Sequence, residues 1–192
     1  MNIVIIGTGY VGLVTGVGLA SLGNTINFID LDDNKIENLS SKKITFYEPG
    51  LEEHFNDDDT FKRMTFSSDY ESIEWKNIDI VFVCVQTPNN IETNSVDTKF
   101  LESAIMEINN VNNNDLVITV KSTIPPYEIE KVCEKVGMDS SKLTFNPEFL
   151  REGKAVEDFF KPDRIVLGGT DNEKLNKLKE LYNDFDCQII IT

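Results

Sequence analysis

A short apolar run, a glycine-rich turn and an acidic residue follow one another within the first thirty residues. The run is Asn2-Ile3-Val4-Ile5-Ile6, and the turn is Gly7-Thr8-Gly9-Tyr10-Val11-Gly12. A second apolar run ends at Asp30, at the distance of about 20 residues that is typical of dinucleotide-binding βαβ units. Strand, turn, helix and acid in this order predict such a unit at the start of the chain.

Each position of this fingerprint has a physical reason. Gly7 would permit the tight turn, Gly9 the close approach of the backbone to a pyrophosphate, and Gly12 the packing of helix on strand. The pyrophosphate would face the free N–H groups and positive dipole end of a helix that starts near Tyr10, so Tyr10 is expected to contact the cofactor as well. Asp30 would accept hydrogen bonds from a ribose diol. The competing interpretation is a glycine-rich turn that binds no ligand.

The residues after Asp30 indicate which dinucleotide is preferred. Leu31-Asp32-Asp33 adds two acids and no arginine, so a 2′-phosphate would meet negative charge without a bidentate partner. This favours NAD over NADP. Lys35 is the nearest cation and could reach a ribose or phosphate oxygen, although a solvated lysine would be equally ordinary at this place.

Charge and composition exclude several classes of partner. The 192 residues carry a formal net charge of -15, which argues against nucleic acid and anionic membranes as partners. The acids between Glu52 and Asp59 indicate a solvated loop, and we expect no metal site. The N-terminus has no basic leader and no apolar run spans a bilayer, so we expect a cytoplasmic protein.

The three cysteines have no metal-type spacing. Cys84 lies inside an apolar run, Cys133 in an amphipathic segment, and Cys187 at the start of the last apolar run. Free cysteine usually packs as a small hydrophobic side chain, so we interpret all three as structural.

Apolar runs alternate with helical patterns along the whole chain, which predicts one α/β domain with a Rossmann-like, doubly wound, mainly parallel sheet of six or more strands and helices on both faces. Polar loops are expected at Asn89–Ser95 and Asn109–Asn114. The predicted strands are 2–6, 25–30, 64–67, 79–85, 115–120, 143–146, 164–168 and 187–191. The predicted helices are 10–22, 33–41, 49–56, 98–109, 126–136, 148–157 and 171–183.

Three polar segments follow predicted strands, where open α/β sheets bind ligands. They are Gln86-Thr87-Pro88, Lys121-Ser122-Thr123-Ile124-Pro125 and Asn146 to Gly153. Singly, each is also explained by a turn, a helix cap or first-turn acids, the last including Glu148 and Glu152 at i, i+4 on a predicted helix start. Together they favour an active-site crevice.

Together with Tyr47-Glu48-Pro49-Gly50-Leu51, these motifs resemble the nucleotide-sugar 6-dehydrogenases, the UDP-glucose/GDP-mannose dehydrogenase family. The resemblance covers essentially all 192 residues, and Lys161 to Gly169 looks most like the UDP-glucose 6-dehydrogenase branch. It rests on Gly7–Gly12, Tyr47-Glu48-Pro49-Gly50-Leu51, Thr87-Pro88, Lys121-Ser122-Thr123 and Asn146–Gly153.

The resemblance implies a four-electron oxidation of UDP-glucose to UDP-glucuronate with two NAD, through an aldehyde captured by a cysteine as a thioester. Thr123 and Glu148 match catalytic positions: Thr123 would help to place water and cofactor, and Glu148 would be the acid/base. Glu152 would contact the nicotinamide end. NAD contacts are implied for Val11, Asp30, Lys35, Thr87 and Thr123, and substrate contacts for Glu148, Phe149, Leu150, Arg151 and Glu152.

Some of the family's pattern is missing. Its nucleophilic cysteine lies well beyond Thr192, as do the catalytic lysine and asparagine of a long connecting helix. Pro126-Tyr127-Glu128 stands where the family usually has Val-Gly-Thr. We therefore expect residues 1–192 to be the NAD-binding domain without the dimerisation helix and the UDP-sugar-binding C-terminal domain, and to turn over little substrate alone. Homodimers are expected only of the full-length enzyme.

Two alternatives stay open. A GDP-mannose or UDP-N-acetylmannosamine dehydrogenase would share these motifs. A protein of another class, a non-catalytic NAD-binding module or half of a split enzyme, would have the same fold, because a fold does not fix a function.

Overall fold

The computed structural model describes residues 1–90, 95–111 and 116–192. The described strands are β1 Asn2–Ile6, β2 Thr25–Ile29, β3 Met64–Ser67, β4 Ile80–Val83, β5 Asn89–Asn90, β6 Ser95–Val96, β7 Val117–Val120, β8 Leu143–Phe145, β9 Arg164–Gly169 and β10 Gln188–Ile191. The described α-helices are α1 Tyr10–Ser21, α2 Asp33–Ser40, α3 Leu51–Asn56, α4 Asp58–Phe61, α5 Lys99–Asn109, α6 Pro126–Val136, α7 Ala155–Phe160 and α8 Asn172–Glu180.

Eight of these strands form one sheet in the order β10-β9-β8-β7-β4-β1-β2-β3. From β1 the chain builds outward to β3, then returns to place β4 on the other side of β1, where Ile3 faces Ile26 on one neighbour and Ile80 on the other. This reversal of strand order opens a crevice beyond the carboxyl ends of β1 and β4. β9 runs antiparallel to β8, and β10 runs parallel to β9. The predicted doubly wound, mainly parallel sheet is confirmed.

Both faces of the sheet are covered, as the continuous apolar runs require. Ile3 and Ile5 of β1 belong to a core shared with α1, α7 and α8. Val4 and Ile6, on the opposite face, belong to a second core with α5 and α6. The carboxyl ends of the central strands are thereby the exposed edge at which a ligand can bind.

The prediction of a helix at 148–157 is wrong. The helix in this region is α7, which begins at Ala155. Glu148 folds back, its Oε2 accepting the Leu150 N–H at 2.8 Å, and Gly153 is left-handed with φ of 81°. A side chain that captures a nearby N–H competes with a helix. Glu148 and Glu152 are consequently not an i, i+4 pair on one helix.

The acidic segment from Glu52 to Asp59 is also not the loop that was predicted. It lies in α3 and α4, and Asp57 caps α4 by accepting the Thr60 N–H at 2.9 Å. Within the predicted loop at Asn89–Ser95, β5 and β6 pair as an antiparallel hairpin, while residues 91–94 lie outside the described residues. Residues 112–114 of the other predicted loop lie outside them too. Every described helix is too short or too polar to cross a bilayer.

Candidate functional site

The glycine-rich turn joins β1 to α1 with little space for side chains. Gly7 has φ of 97°, and a Cβ there would lie 2.7 Å from the Cys84 carbonyl oxygen. A Cβ on Gly12 would collide with the Gly7 carbonyl and approach the Cys84 Cβ to 3.2 Å. At Gly9 a Cβ would meet no atom within 4 Å. Gly7 and Gly12 are therefore required for the close packing of the turn, whereas Gly9 borders open space at the N-terminus of α1.

Asp30 holds this turn from the end of β2. Its Oδ2 accepts the Thr8 N–H at 2.8 Å and the Thr8 hydroxyl at 2.7 Å, and the Lys35 ammonium lies 3.4 Å away. Burial opposes ionisation of Asp30, but the hydrogen bonds from Thr8 and Asp32 and the Lys35 charge outweigh it, so its pKa is lowered. Asp30 is therefore an ionised acceptor at the mouth of the crevice.

A cleft of about 390 Å³ lies beside this aspartate, at the reversal of strand order. Tyr70, Phe100 and Ala104 form an apolar wall of the cleft. Burial raises the pKa of Tyr70 to about 12, with smaller contributions from Glu107 and Asp30. The predicted cofactor residues that line the cleft are Gly7, Gly9, Asp30 and Lys35.

Tyr10, also predicted to bind the cofactor, uses its hydroxyl elsewhere. The hydroxyl donates to Glu48 Oε2 at 2.7 Å, and its ring lies 5.4 Å from that of Phe46. Burial and Glu48 raise the pKa of Tyr10. Val11, the next residue, is partly buried against the core. Tyr10 is thus not among the residues that line the cleft, although it directly follows Gly9, which is among them.

The segments after β4 and β7 are joined to each other. The Thr87 hydroxyl donates to the Thr123 carbonyl at 2.7 Å, and the Ser122 hydroxyl donates to the Val85 carbonyl at 2.6 Å. Thr123 is exposed and Thr87 is half-buried. The structure brings these two predicted site residues together at the carboxyl edge.

The loop after β8 carries the predicted substrate residues. Arg151 pairs with Asp158 through its Nη2 at 2.6 Å and Nε at 3.0 Å, which raises the pKa of Arg151 and lowers that of Asp158. Arg164 stacks on the Phe149 ring at 4.9 Å. Glu152 is exposed. Of the five predicted residues, Phe149 and Leu150 line a recess of about 120 Å³, while the Arg151 guanidinium is held at Asp158.

A buried ammonium forms the polar part of this recess. The Lys121 Nζ donates to Asn146 Oδ1 at 3.1 Å, and Tyr182 donates its hydroxyl to the same oxygen at 2.7 Å. Lys121 is 7% exposed, and no described carboxylate lies within ion-pair distance of it. Burial lowers the pKa of Lys121. A cation so placed attracts electron-rich ligand atoms.

The cysteines are placed as structural groups. Cys84 and Cys133 are buried, and Cys187 is partly exposed. Burial raises the pKa of Cys84 to about 12 and also raises the pKa values of the other two. A thiol rather than a thiolate is therefore the neutral-pH form of each, and a thiol is a poor nucleophile. Within residues 1–90, 95–111 and 116–192, no cluster of three or more His, Cys, Asp or Glu side chains could hold a metal ion.

Four polar residues of this edge were not predicted as site residues. Three of them lie inside motifs noted in the sequence: Lys121, Asn146 and Glu48. The motifs marked these positions, but the sequence did not indicate what each side chain does. Tyr182 follows α8 with the periodicity of a core residue, and only its contact with Asn146 shows a polar function.

Comparison with known proteins agrees with this geometry. Residues 1–186 match the model of the UDP-glucose/GDP-mannose dehydrogenase family, NAD binding domain. The chain belongs to this family. Its cofactor is NAD, and the crevice described above is at the position where such a sheet binds a dinucleotide.

Relatives and solved structures give the same assignment. UDP-glucose 6-dehydrogenase of Rickettsia prowazekii is 39% identical over 184 residues, which are 95% of this chain and 42% of that protein. The chain therefore spans less than half the length of that relative. GDP-mannose dehydrogenase of Pseudomonas aeruginosa superposes with a TM-score of 0.89 at 28% identity, covering 100% of this chain and 46% of the other. UDP-glucose dehydrogenase of Pyrobaculum islandicum gives 0.86 at 33% identity, with the same coverages.

Proposed function

We propose that this chain is the cofactor-binding part of a nucleotide-sugar 6-dehydrogenase and that its sugar nucleotide is UDP-glucose. The observation that carries the cofactor-binding part of the proposal is the meeting of the glycine turn, the ionised Asp30 and the cleft at the reversal of strand order. The cytoplasmic location expected from the sequence stays a prediction.

The residues of the cleft fit NAD. The first N–H groups of α1 lack a side-chain cap, so they can donate to a pyrophosphate, and the open space at Gly9 leaves room for it. Asp30 would accept from the ribose hydroxyls, and Lys35 would sit beside them. The apolar wall at Tyr70 and Phe100 would cover the flat face of a base.

The cleft is expected to discriminate against NADP. The chain has three arginines, Arg63, Arg151 and Arg164, and none lines the cleft. Lys35 is already beside Asp30, so an added 2′-phosphate would meet the charges of Asp30 and Asp32 without a free bidentate partner.

For the chemistry, NAD supplies a hydride acceptor, and the chain would supply orientation and proton transfer. Glu148 is partly buried, and it lies close enough to Lys121 for its charge to act on the pKa of Lys121. This position suits a carboxylate that moves a proton. Thr123 and Thr87 would border the reacting end of the cofactor, with Glu152 near it. Phe149, Leu150 and the backbone to Glu152 would hold the sugar above the Lys121 recess.

The choice of UDP-glucose rests on the relatives named UDP-glucose 6-dehydrogenase and on the Lys161 to Gly169 segment. A GDP-mannose substrate is the second candidate, favoured by the GDP-mannose dehydrogenase superposition. We propose that the rest of such an enzyme reads the base and supplies the nucleophilic cysteine, since Cys84, Cys133 and Cys187 are not activated.

Calorimetric titration of the chain with NAD and NADP tests the cofactor site. Asp30→Ala removes a charged acceptor, which is worth about 1.5–3 kcal/mol, so NAD affinity should fall by roughly 10- to 100-fold. Asp33→Ala is the matched control because it removes the same charge from an exposed position on α2. Equal affinities of both variants, or NADP binding as tight as NAD, would contradict the proposal.

Turnover of the isolated chain tests the second half of the proposal. With UDP-glucose or GDP-mannose added to the NAD-loaded chain, we expect little or no NADH absorbance to develop. Production of two NADH per sugar nucleotide consumed would show that the chain completes the oxidation without a further cysteine, and the sugar nucleotide consumed would identify the substrate.

A further inference from the structure

Glu48, part of the Tyr47–Leu51 motif, is a buried carboxylate with an unusual set of partners. It is 3% exposed. Its Oε2 accepts the Tyr10 hydroxyl at 2.7 Å and the Gly153 N–H at 2.8 Å, and its Oε1 accepts the Ala155 N–H at 2.7 Å. The donors are 38, 105 and 107 residues away in sequence. One side chain thus joins the start of α1 to the end of the loop that follows β8.

No cation neutralises Glu48: the ion pairs of the described residues do not include it. Its charge is stabilised by hydrogen-bond donors alone, and a buried charge is costly when donors are lost. The Gly153 and Ala155 backbones are therefore held firmly while Glu48 is in place. Opening the loop would leave a buried carboxylate with unmet acceptors.

The other end of this connection borders the cofactor site. Tyr10 is the first residue of α1, directly after Gly9 and the open space at the helix N-terminus. Its hydroxyl also lies 3.2 Å from the Arg151 carbonyl oxygen. Tyr10 therefore follows a residue that lines the cleft and carries its hydroxyl to the loop.

We propose that Glu48 is a positioning residue that couples NAD binding at α1 to the order of the loop from Glu148 to Lys154. The inference rests on the proposed function, in which this loop carries the acid/base and the sugar contacts. If loop opening loosens Tyr10 and the start of α1, the open form binds NAD less well. By linkage, NAD then makes loop opening rarer.

Amide hydrogen exchange measures this coupling directly. With NAD at about 100 times its dissociation constant, an open form that binds no NAD becomes roughly 100-fold rarer, so exchange at Gly153 and Ala155 should slow by up to that factor. The Glu173 and Lys174 amides are the control because they also donate to a carboxylate, Asp171, at the opposite edge of the sheet. Their exchange should not change.

Tyr10→Phe separates coupling from simple support, with exposed Tyr127→Phe as the matched control. Each variant is compared at 100 times its own dissociation constant. Coupling predicts that Tyr10→Phe shrinks the NAD-induced slowing at Gly153 several-fold, whereas Tyr127→Phe keeps it. If the Tyr10 hydroxyl only supports the structure, Tyr10→Phe would instead speed exchange at Gly153 by the same factor with and without NAD. That result would overturn the proposal.

Glu48→Gln provides a second variant, since its amide can accept from one backbone N–H but sets its NH₂ against the other. It should lose the NAD-induced slowing even more completely, and retention of that slowing would overturn the proposal. NAD binding without slower exchange in the unmodified chain would overturn this inference alone. Absence of NAD binding in the calorimeter would overturn the proposed function as well.

Discussion

Alanine substitutions at two glycines of the same turn should separate folding from cofactor binding. At Gly12 the new methyl group would collide with the Gly7 carbonyl. That carbonyl cannot withdraw freely, because the Gly7 N–H is fixed to the Ile29 carbonyl at 2.7 Å. At Gly9, φ is −71° and a methyl group would meet no atom within 4 Å.

The expected magnitudes differ accordingly. Overpacking costs about 1–3 kcal/mol, and the better helix propensity of alanine returns up to about 1 kcal/mol. Because the clash is with a backbone oxygen, which cannot move aside like the end of a side chain, the upper part of this range applies. Gly12→Ala should therefore destabilise by roughly 2–3 kcal/mol, or a melting temperature lower by roughly 4–12 °C for a chain of this size. Gly9→Ala should change stability by less than about 1 kcal/mol, while its methyl group obstructs the pyrophosphate and lowers NAD affinity by ~10-fold or more.

Thermal unfolding followed by circular dichroism, together with NAD calorimetry on the same samples, measures both effects. The reasoning is refuted if Gly12→Ala has the same melting temperature as the unmodified chain, or if Gly9→Ala binds NAD with the affinity of the unmodified chain. A Gly9→Ala variant that melts as early as Gly12→Ala would show that the space seen at Gly9 is not free.

Two further results are expected from the buried polar groups and the thiols. Burial lowers the pKa of Lys121, so the folded chain takes up this proton less readily than the unfolded chain. The resulting loss of folding stability is largest at neutral pH and fades as the pH rises through the ordinary lysine range. Lys121→Met should therefore raise the melting temperature, measured by calorimetry, at pH 7 and lose this advantage in alkali, and an equal advantage at both pH values would contradict the assignment. Timed alkylation with peptide mapping should label Cys187 before Cys84 and Cys133, since Cys187 alone of the three is partly exposed, and earlier labelling of Cys84 would show that the turn opens.

Local patterns were sufficient for much of the fold. β1 at Asn2–Ile6 and α6 at Pro126–Val136 match the prediction, because a continuous apolar run and a proline before an amphipathic segment are local signals. The cofactor turn was equally readable, since its glycines act within a few residues of one another. The helix at 148–157 was misplaced because Glu148 captures the nearby Leu150 N–H and Gly153 is left-handed, while the Glu48 carboxylate fixes the Gly153 N–H through a tertiary contact that no local pattern shows.

Sequence alone therefore determined the alternation of strands and helices, the dinucleotide fingerprint and the NAD cofactor, all of which depend on residue type and short-range spacing. The tertiary structure decided that β9 runs antiparallel to β8, because an apolar run predicts a strand but does not specify whether it pairs parallel or antiparallel with its neighbour. It also decided that Lys121 is buried beside Asn146 and that Glu48 joins α1 to the loop before α7. Burial and hydrogen-bond partners more than 20 residues apart exist only once the sheet has assembled, so no local pattern could specify them.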